Sequence, residues 1–284
     1  MGKLLISFLS CLFIVLNSCG QSNLPRLPLD CADRRVQDSL IKRYITNGAD
    51  KLPGMYNDPA WQLYCDSVIA LCPEIAEVYQ RKAVPFIKNG EYEKAFVLYD
   101  ITVQLNPKRY TGHRGFLKCL FTKDYEGAII DLQKAQELVP NGYDMDHTYK
   151  FYEGLCNLEL GNYSAAEQNF KQDISIQAND HPADPPHFNT LLFMGILYYE
   201  MGKDVLAKEC LLKCLNAYKQ HPEGNYYLAL VFQREGNTAM KRKYLEIAKK
   251  SYSNGYRMNE DQLYYVNYPH GIKLYEIEEA LSGL

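Results

Sequence analysis

Apolar positions recur along this chain every three to four residues, the spacing of amphipathic helices. Between Cys31 and Asn47, the residues Val36, Leu40, Ile41 and Tyr44 share one face. Gly48, Pro53 and Gly54 then break the pattern. Asp58 and Pro59 supply a cap and a first-turn residue for a second helix carrying Trp61, Leu63, Tyr64, Val68 and Ile69, closed at Cys72-Pro73. From Glu74 the predicted helices come in pairs. The pairs run from Glu74 to Lys108, Arg109 to Pro140, Tyr149 to Ala178, His187 to Gln220 and Gly224 to Lys250. Pro85 lies inside the first helix of the first pair and is expected to bend it. Tyr268-Pro269-His270-Gly271 interrupts the chain again, and Ile272 to Leu281 reads as a last amphipathic helix.

A short signature sits at the middle of each pair. It reads Asn89-Gly90-Glu91-Tyr92-Glu93-Lys94-Ala95, then Lys123-Asp124-Tyr125-Glu126-Gly127-Ala128, then Leu160-Gly161-Asn162-Tyr163-Ser164-Ala165-Ala166. Weaker copies begin at Met201-Gly202 and Glu235-Gly236. Gly or Asn is expected to take the tight turn, an aromatic to wedge the helices, and Ala to let their backbones approach. The copies recur about every 33 to 41 residues, the period of a helix-turn-helix solenoid. With Tyr79, Ala83, Phe86, Tyr99 and Pro107 in the first pair, the pattern resembles the tetratricopeptide-repeat (TPR) family. That resemblance implies an all-α, right-handed solenoid of about five repeats over residues 74–250. A degenerate helix pair (31–73) and a C-terminal segment (251–284) would cap it, with Glu276, Glu278 and Glu279 on the outer face of the last helix. The alternative for that helix is docking to a partner.

The first residues belong to no repeat. Lys3 precedes an apolar run from Leu4 to Leu16, which fits a signal h-region and is too short to span a bilayer. The run ends in Leu16-Asn17-Ser18-Cys19-Gly20, which resembles a bacterial lipobox. This implies cleavage after residue 18 and acylation of Cys19, a stable anchor because more than one acyl chain is attached. An ordinary signal peptide with an incidental Cys is the competing reading. Gly20, in place of Asp, favours the outer membrane of a Gram-negative cell, and the lack of an acidic cluster from Gln21 to Leu29 favours its periplasmic face. Residues 19–30, with Pro25 and Pro28, read as an extended tether.

A formal net charge of −3 gives no reason to expect nucleic acid as a partner. The 24 tyrosines need no special function, since aromatic packing between helices uses them in this family. Seven cysteines follow Cys19, an odd number. Cys65 and Cys72 are too far apart on one helix to bridge, and Cys210 and Cys214 are poorly oriented for it. Most are expected to be small buried hydrophobes, with a native disulfide as the alternative. Two inter-repeat connections, Asp144-Met145-Asp146-His147 and Asn179 to His187, hold possible zinc ligands. Capping and polar loop roles explain the same residues, so no metal or other cofactor is expected. Lys241-Arg242-Lys243 with Lys249 and Lys250 reads as a solvated face, with contact to anionic lipid or polymer as the alternative. No GxSxG, HExxH, phosphate-binding Gly loop or EF-hand spacing occurs, so no enzyme is expected.

In a TPR array the first helix of each repeat lines the concave face. The register above places Gln80, Lys88, His113, Asn189, Tyr199, Tyr226, Gln233 and Arg234 there. This polar and aromatic mixture suits an extended protein or peptide ligand. The expected function is therefore an envelope-anchored scaffold for protein–protein interaction. The alternative is a glycan- or peptidoglycan-binding envelope lipoprotein, although the long insertions of larger glycan-capture lipoproteins are absent.

Overall fold

A glycine in the left-handed conformation closes four of the five helix pairs: Gly90, Gly161, Gly202 and Gly236, with φ between 69° and 74°. An L side chain is strained there, and a Cβ at any of the four would meet open space, so backbone conformation alone selects Gly. The computed structural model describes residues 29–258 and 267–283. The expected leader, Cys19 and most of the expected tether lie outside the described residues.

The first pair is α3 (Ala76–Lys88) and α4 (Tyr92–Leu105). It is followed by α5 (Pro107–Leu117) with α6 (Tyr125–Leu138), and by α7 (Tyr149–Glu159) with α8 (Tyr163–Asp180). The last two pairs are α9 (Phe188–Glu200) with α10 (Asp204–Ala217), and α11 (Pro222–Arg234) with α12 (Thr238–Ser253). Before them come α1 (Arg34–Leu40), which runs into a π-helical turn, and α2 (Ala60–Leu71). After them comes α13 (Leu274–Ser282). A two-residue hairpin, β1 (Tyr143–Asp144) with β2 (His147–Thr148), joins α6 to α7. Each helix packs on its partner in the pair, each second helix packs on the next first helix, and α5, α7, α9 and α11 also touch in succession. This is an all-α helix-turn-helix solenoid of the TPR type.

Side-chain size sets the closeness of each pair. Gly154 faces the Phe170 ring and Gly195 faces Leu211, each large residue sixteen positions on, and a Cβ at either Gly would fall 2.7 Å from it. Ala95, Ala128, Ala166 and Ala207 are fully buried at the same interfaces. Pair two differs. Gly115 faces Leu132, seventeen positions on. The extra residue is absorbed by a π-helical turn, Lys118–Thr122, that ends the first helix. Lys123, at φ 59°, then takes the left-handed position, so the expectation that Gly or Asn makes every turn is corrected here. The first helix of pair one runs through Pro85, which is buried within it.

The N-terminal pair is a small core of its own, in which Leu40, Ile45, Trp61, Cys65 and Val68 pack together. Trp61 Nε1 donates to the Arg81 carbonyl of α3 at 3.0 Å and docks this core on the array. A Cys31–Cys72 disulfide closes it. For these two cysteines the expectation of small buried hydrophobes is corrected: Cys31, at the tether's end, meets the C-terminus of α2. No helix among the described residues is long and apolar enough to cross a membrane.

Candidate functional site

The face formed by the first helices is the groove, and part of it is filled by the chain itself. The segment before α13 returns across it. The Asn267 carbonyl accepts from Lys123 Nζ, at the end of pair two's first helix. The Tyr268 ring lies over Phe193 of α9, with centroids 6.2 Å apart and planes 29° apart. Its edge contacts are Phe151 of α7 at 6.5 Å and His147 at 6.3 Å. His270 Nδ1 stands 2.8 Å from the Tyr227 hydroxyl of α11, and its Nε2 stands 2.9 Å from Glu159 Oε1 at the end of α7. Ile272 then leaves the groove and packs with Ala229, Leu245, Ala248 and Ile277. Three residues of this strap thus touch first helices, or their ends, in four successive pairs.

The pocket under Tyr268 is aromatic. His147 stacks on Phe151 at 3.9 Å and meets the His187 ring edge-on at 4.7 Å. It is 3% exposed, and its Nδ1 is buried without a hydrogen-bond partner. Burial, helped by nearby His187, holds the imidazole well below its usual pKa, so it is neutral. Burial also raises the Tyr227 hydroxyl, which keeps it a donor to His270. Lys123 is held below its ordinary value, chiefly by burial.

A second polar chain lies at the other end of the groove. Gln80 lies near Tyr99, whose hydroxyl stands 3.1 Å from His113 Nε2. His113 Nδ1 stands 2.8 Å from Asp144 Oδ1 in the hairpin. A carboxylate, an imidazole and a hydroxyl in line have the makings of a relay. Tyr99, however, is 1% exposed and burial pushes its hydroxyl pKa up, so it offers neither a nucleophile nor an accessible proton. The series ties pair one to pair two.

The predicted groove residues form two groups, two residues that join neither, and one exception. Gln80 and His113 meet through Tyr99. Tyr199, Tyr226 and Arg234 gather around Tyr227 at the C-terminal end, where Tyr227 is 6.0 Å from Tyr199 and 5.7 Å from Tyr226. The Arg234 guanidinium lies 3.4 Å above the Tyr199 ring and also bonds the Tyr199 carbonyl and Asp204. Lys88 is half-buried at the end of α3 and Gln233 is exposed on α11. Asn189 is the exception. It is 2% exposed at the start of α9, with Oδ1 3.4 Å from His221 Nε2, so its place on an open face is corrected. The first turn of α9 is buried against the start of α11.

Neither loop weighed as a metal site gathers ligands, and no cluster of three or more His, Cys, Asp or Glu suited to a metal occurs among the described residues. Asp144 is held by His113, while His187 caps α9 by accepting from the Asn189 amide at 3.2 Å. Of the remaining cysteines, Cys65, Cys119, Cys156 and Cys214 are buried free thiols and Cys210 is half-buried. Burial pushes Cys65 and Cys214 up to about 12 and Cys210 to about 11, so none is a thiolate near neutrality.

Sequence reasoning did not place Lys123, Phe151, Glu159, Phe193 or Tyr227 in the groove, and it weighed His147 only as a zinc ligand. One signal was present. In α9 the run Leu191-Leu192-Phe193-Met194-Gly195-Ile196-Leu197 has no polar stripe to face an open groove. A helix apolar all round is a covered helix.

The solenoid is similar in fold to several solved structures. No protein-family model matches the sequence, and a comparison with curated proteins finds no match. The crystal structure of PilW, a widely conserved type IV pilus biogenesis factor, is similar with a TM-score of 0.61 at 13% identity, over 81% of this chain and 98% of that one. PilF of Pseudomonas aeruginosa is similar with a TM-score of 0.58 at 19% identity, over 76% of this chain and 94% of that one. MamA from Desulfovibrio magneticus RS-1, from residue 41 to its end, gives 0.52 at 14% identity, over 63% and 96%. The likeness is one of fold.

Proposed function

We propose that this chain is a lipid-anchored scaffold of the bacterial envelope that binds an extended protein segment along the face of its first helices. One observation carries the binding half of this reading: that face already holds a short stretch of chain, Asn267–His270, which turns at Pro269–His270, through a main-chain carbonyl, a ring and an imidazole. A surface that seats backbone and side chains from four successive pairs is suited to peptide recognition. The Gln80–Tyr99–His113 end and the Tyr199–Tyr226–Arg234 end supply further polar and aromatic contacts on either side. Anchoring rests on the position of Cys19 at the end of the apolar run. The outer membrane, at its periplasmic face, is the location this reading favours.

Two measurements test it. Cys19→Ala should leave an uncleaved precursor or release soluble protein, and normal maturation into the outer-membrane fraction would remove the anchor. For the groove, Lys88, Tyr199, Tyr226 and Arg234 are replaced together by Ala, and proteins crosslinked in intact membranes are compared. The scaffold reading expects a captured protein in the parent and at least tenfold less in the variant. Retention by insoluble wall material, with no protein captured, would replace the scaffold with a glycan-binding role.

A further inference from the structure

The strap describes the ligand it displaces. We propose that the groove recognises a peptide that turns as the strap does at Pro269–His270, where His270 takes φ 60°, and that bears an aromatic side chain and, two residues later, a histidine, with the chain's own Asn267–His270 acting as a built-in competitor for that site. This inference rests on the peptide-binding reading above and narrows it to a chemical class.

Three subsites define the class. The first is Lys123, whose ammonium takes a main-chain carbonyl. Its place in the groove follows from the π-helical turn and the left-handed backbone that set pair two apart. π-Turns and left-handed non-Gly residues cost energy and gather where function needs them. The second is the box of His147, Phe151 and Phe193, which takes one aromatic ring. The third lies between Tyr227 and Glu159. It offers a hydroxyl donor on one side and a carboxylate acceptor on the other. An imidazole accepts from the hydroxyl at Nδ1 while its Nε2 lies 2.9 Å from Glu159 Oε1, a charge contact and not a hydrogen bond; a lysine, which only donates, answers the carboxylate alone.

The strap is also an imperfect occupant. It leaves His147 Nδ1 buried without a partner in the aromatic box. A buried polar atom left unmatched weakens whatever buries it. An incoming peptide that reaches this nitrogen, by side chain or by ordered water, has an advantage over the strap. Because the strap is tethered, its effective concentration is high, and a free peptide must overcome it.

The test uses the full chain and a fluorescein-labelled peptide with the sequence of residues 267–273. In the opened variant, Tyr268→Ala with His270→Ala, the strap loses its ring and its imidazole while every groove residue stays. Fluorescence anisotropy should show the probe binding the opened variant at least tenfold more tightly than the parent. Adding Tyr227→Phe, which removes one hydroxyl, should weaken this by about three- to tenfold. A probe with Ala in place of its Tyr should not bind. Circular dichroism and the melting midpoint verify that the opened variant is folded. In the parent, slow hydrogen exchange across 268–271 provides an independent check that the strap is seated.

The inference is overturned if the opened variant binds the probe no better than the parent, or binds the Ala probe equally well. A parent that is dimeric in light scattering and becomes monomeric on opening would also overturn it, in favour of strap exchange between copies. Its failure is separable from failure of the scaffold reading. If the probe fails while crosslinked capture still depends on Tyr199 and Tyr226, only the motif is wrong. If capture ignores the groove as well, both fall.

Discussion

The two ends of the groove are built on the same repeat and differ in what covers them. In α3, five of thirteen residues are buried, and the helix keeps a polar stripe with Gln80 and Lys88. In α9, ten of thirteen are buried in one unbroken run from Asn189 to Tyr198. The hydrophobic effect explains the difference: an apolar stripe on the groove side of α9 lowers its free energy only when something lies over it, and the strap does. Solenoid units feel only their neighbours, so each end needs its own closure. At the N-terminal end it is covalent, through Cys31–Cys72. At the C-terminal end it is the reversible contact of Tyr268 and His270 with α7, α9 and α11. A covalent staple stabilises without regulating, whereas a contact made of one ring and one imidazole can be exchanged for another of the same kind.

The sharpest way to break the comparison is at Phe193. It is fully buried between Phe151, at 5.8 Å, and Tyr268. Phe193→Ala should cost about 3–5 kcal/mol, because it removes the ring and leaves a cavity lined by other rings. Urea denaturation should show the loss in the transition of the C-terminal pairs. A variant as stable as the parent would mean the strap does not bury this face in solution.

The N-terminal closure should fail independently. Cys31→Ser opens a loop spanning a separation of 41 residues, which by the chain-entropy account costs about 3–4 kcal/mol. Neighbour-only coupling confines that cost to the core of Trp61, Cys65 and Val68 and its contact with α3. Hydrogen exchange should therefore speed up through α1 and α2 and leave α9 and α11 unchanged. Equal acceleration at both ends would show that the array unfolds as one unit.

Overpacking tests the two ends at matched positions. Ala95 in α4 and Ala166 in α8 are both fully buried where two helices nearly touch. Leu at either should cost about 1–3 kcal/mol. The larger effect is expected at Ala166, because its pair already holds Gly154 against the Phe170 ring and has little room to relax. Melting curves that move for neither variant would show that the helix contacts are looser than this packing implies.

The helix-turn-helix architecture was legible because its turn chemistry is local. Gly90, Gly161, Gly202 and Gly236 need a conformation that only Gly takes without strain, and that need is written in four adjacent residues at a time. Lys123 shows the limit: one inserted residue is absorbed by the backbone and leaves no motif behind. The strap was read only as a break, because Tyr268-Pro269-His270 has no periodicity and its partners lie some 40 to 145 residues away. Cys31 and Cys72 were not matched for the same reason, since pairing depends on a spatial approach that the spacing does not encode. Asn189 fell on the right helical register for the groove but at the end of α9 that the next pair covers. Helical spacing assigns a face, not what comes to lie on it.

Acid offers the finest probe of the covered end. His147 is buried against Phe151 under Tyr268, and its folded-state pKa lies well below its unfolded value of about 6.5. The unfolded chain therefore takes up a proton that the folded chain refuses. Stability from this group is present in full above the unfolded pKa. It is lost as pH falls below about 6.5 and keeps falling until the folded pKa is reached, at up to about 1.4 kcal/mol per pH unit. The chain carries five further histidines, so the useful quantity is a difference. His147→Phe keeps a ring on Phe151 and removes the titrating nitrogen. Between pH 7 and pH 5 the parent should lose more stability than His147→Phe, as read from urea midpoints, and the loss should be confined to the pairs beneath the strap. The opened variant should lose part of this pH dependence too, because with Tyr268 and His270 gone water can reach the pocket and solvate the charged imidazole. If parent and His147→Phe show parallel profiles, the pocket is already wet, and the contrast between a covered and an open end does not hold in solution.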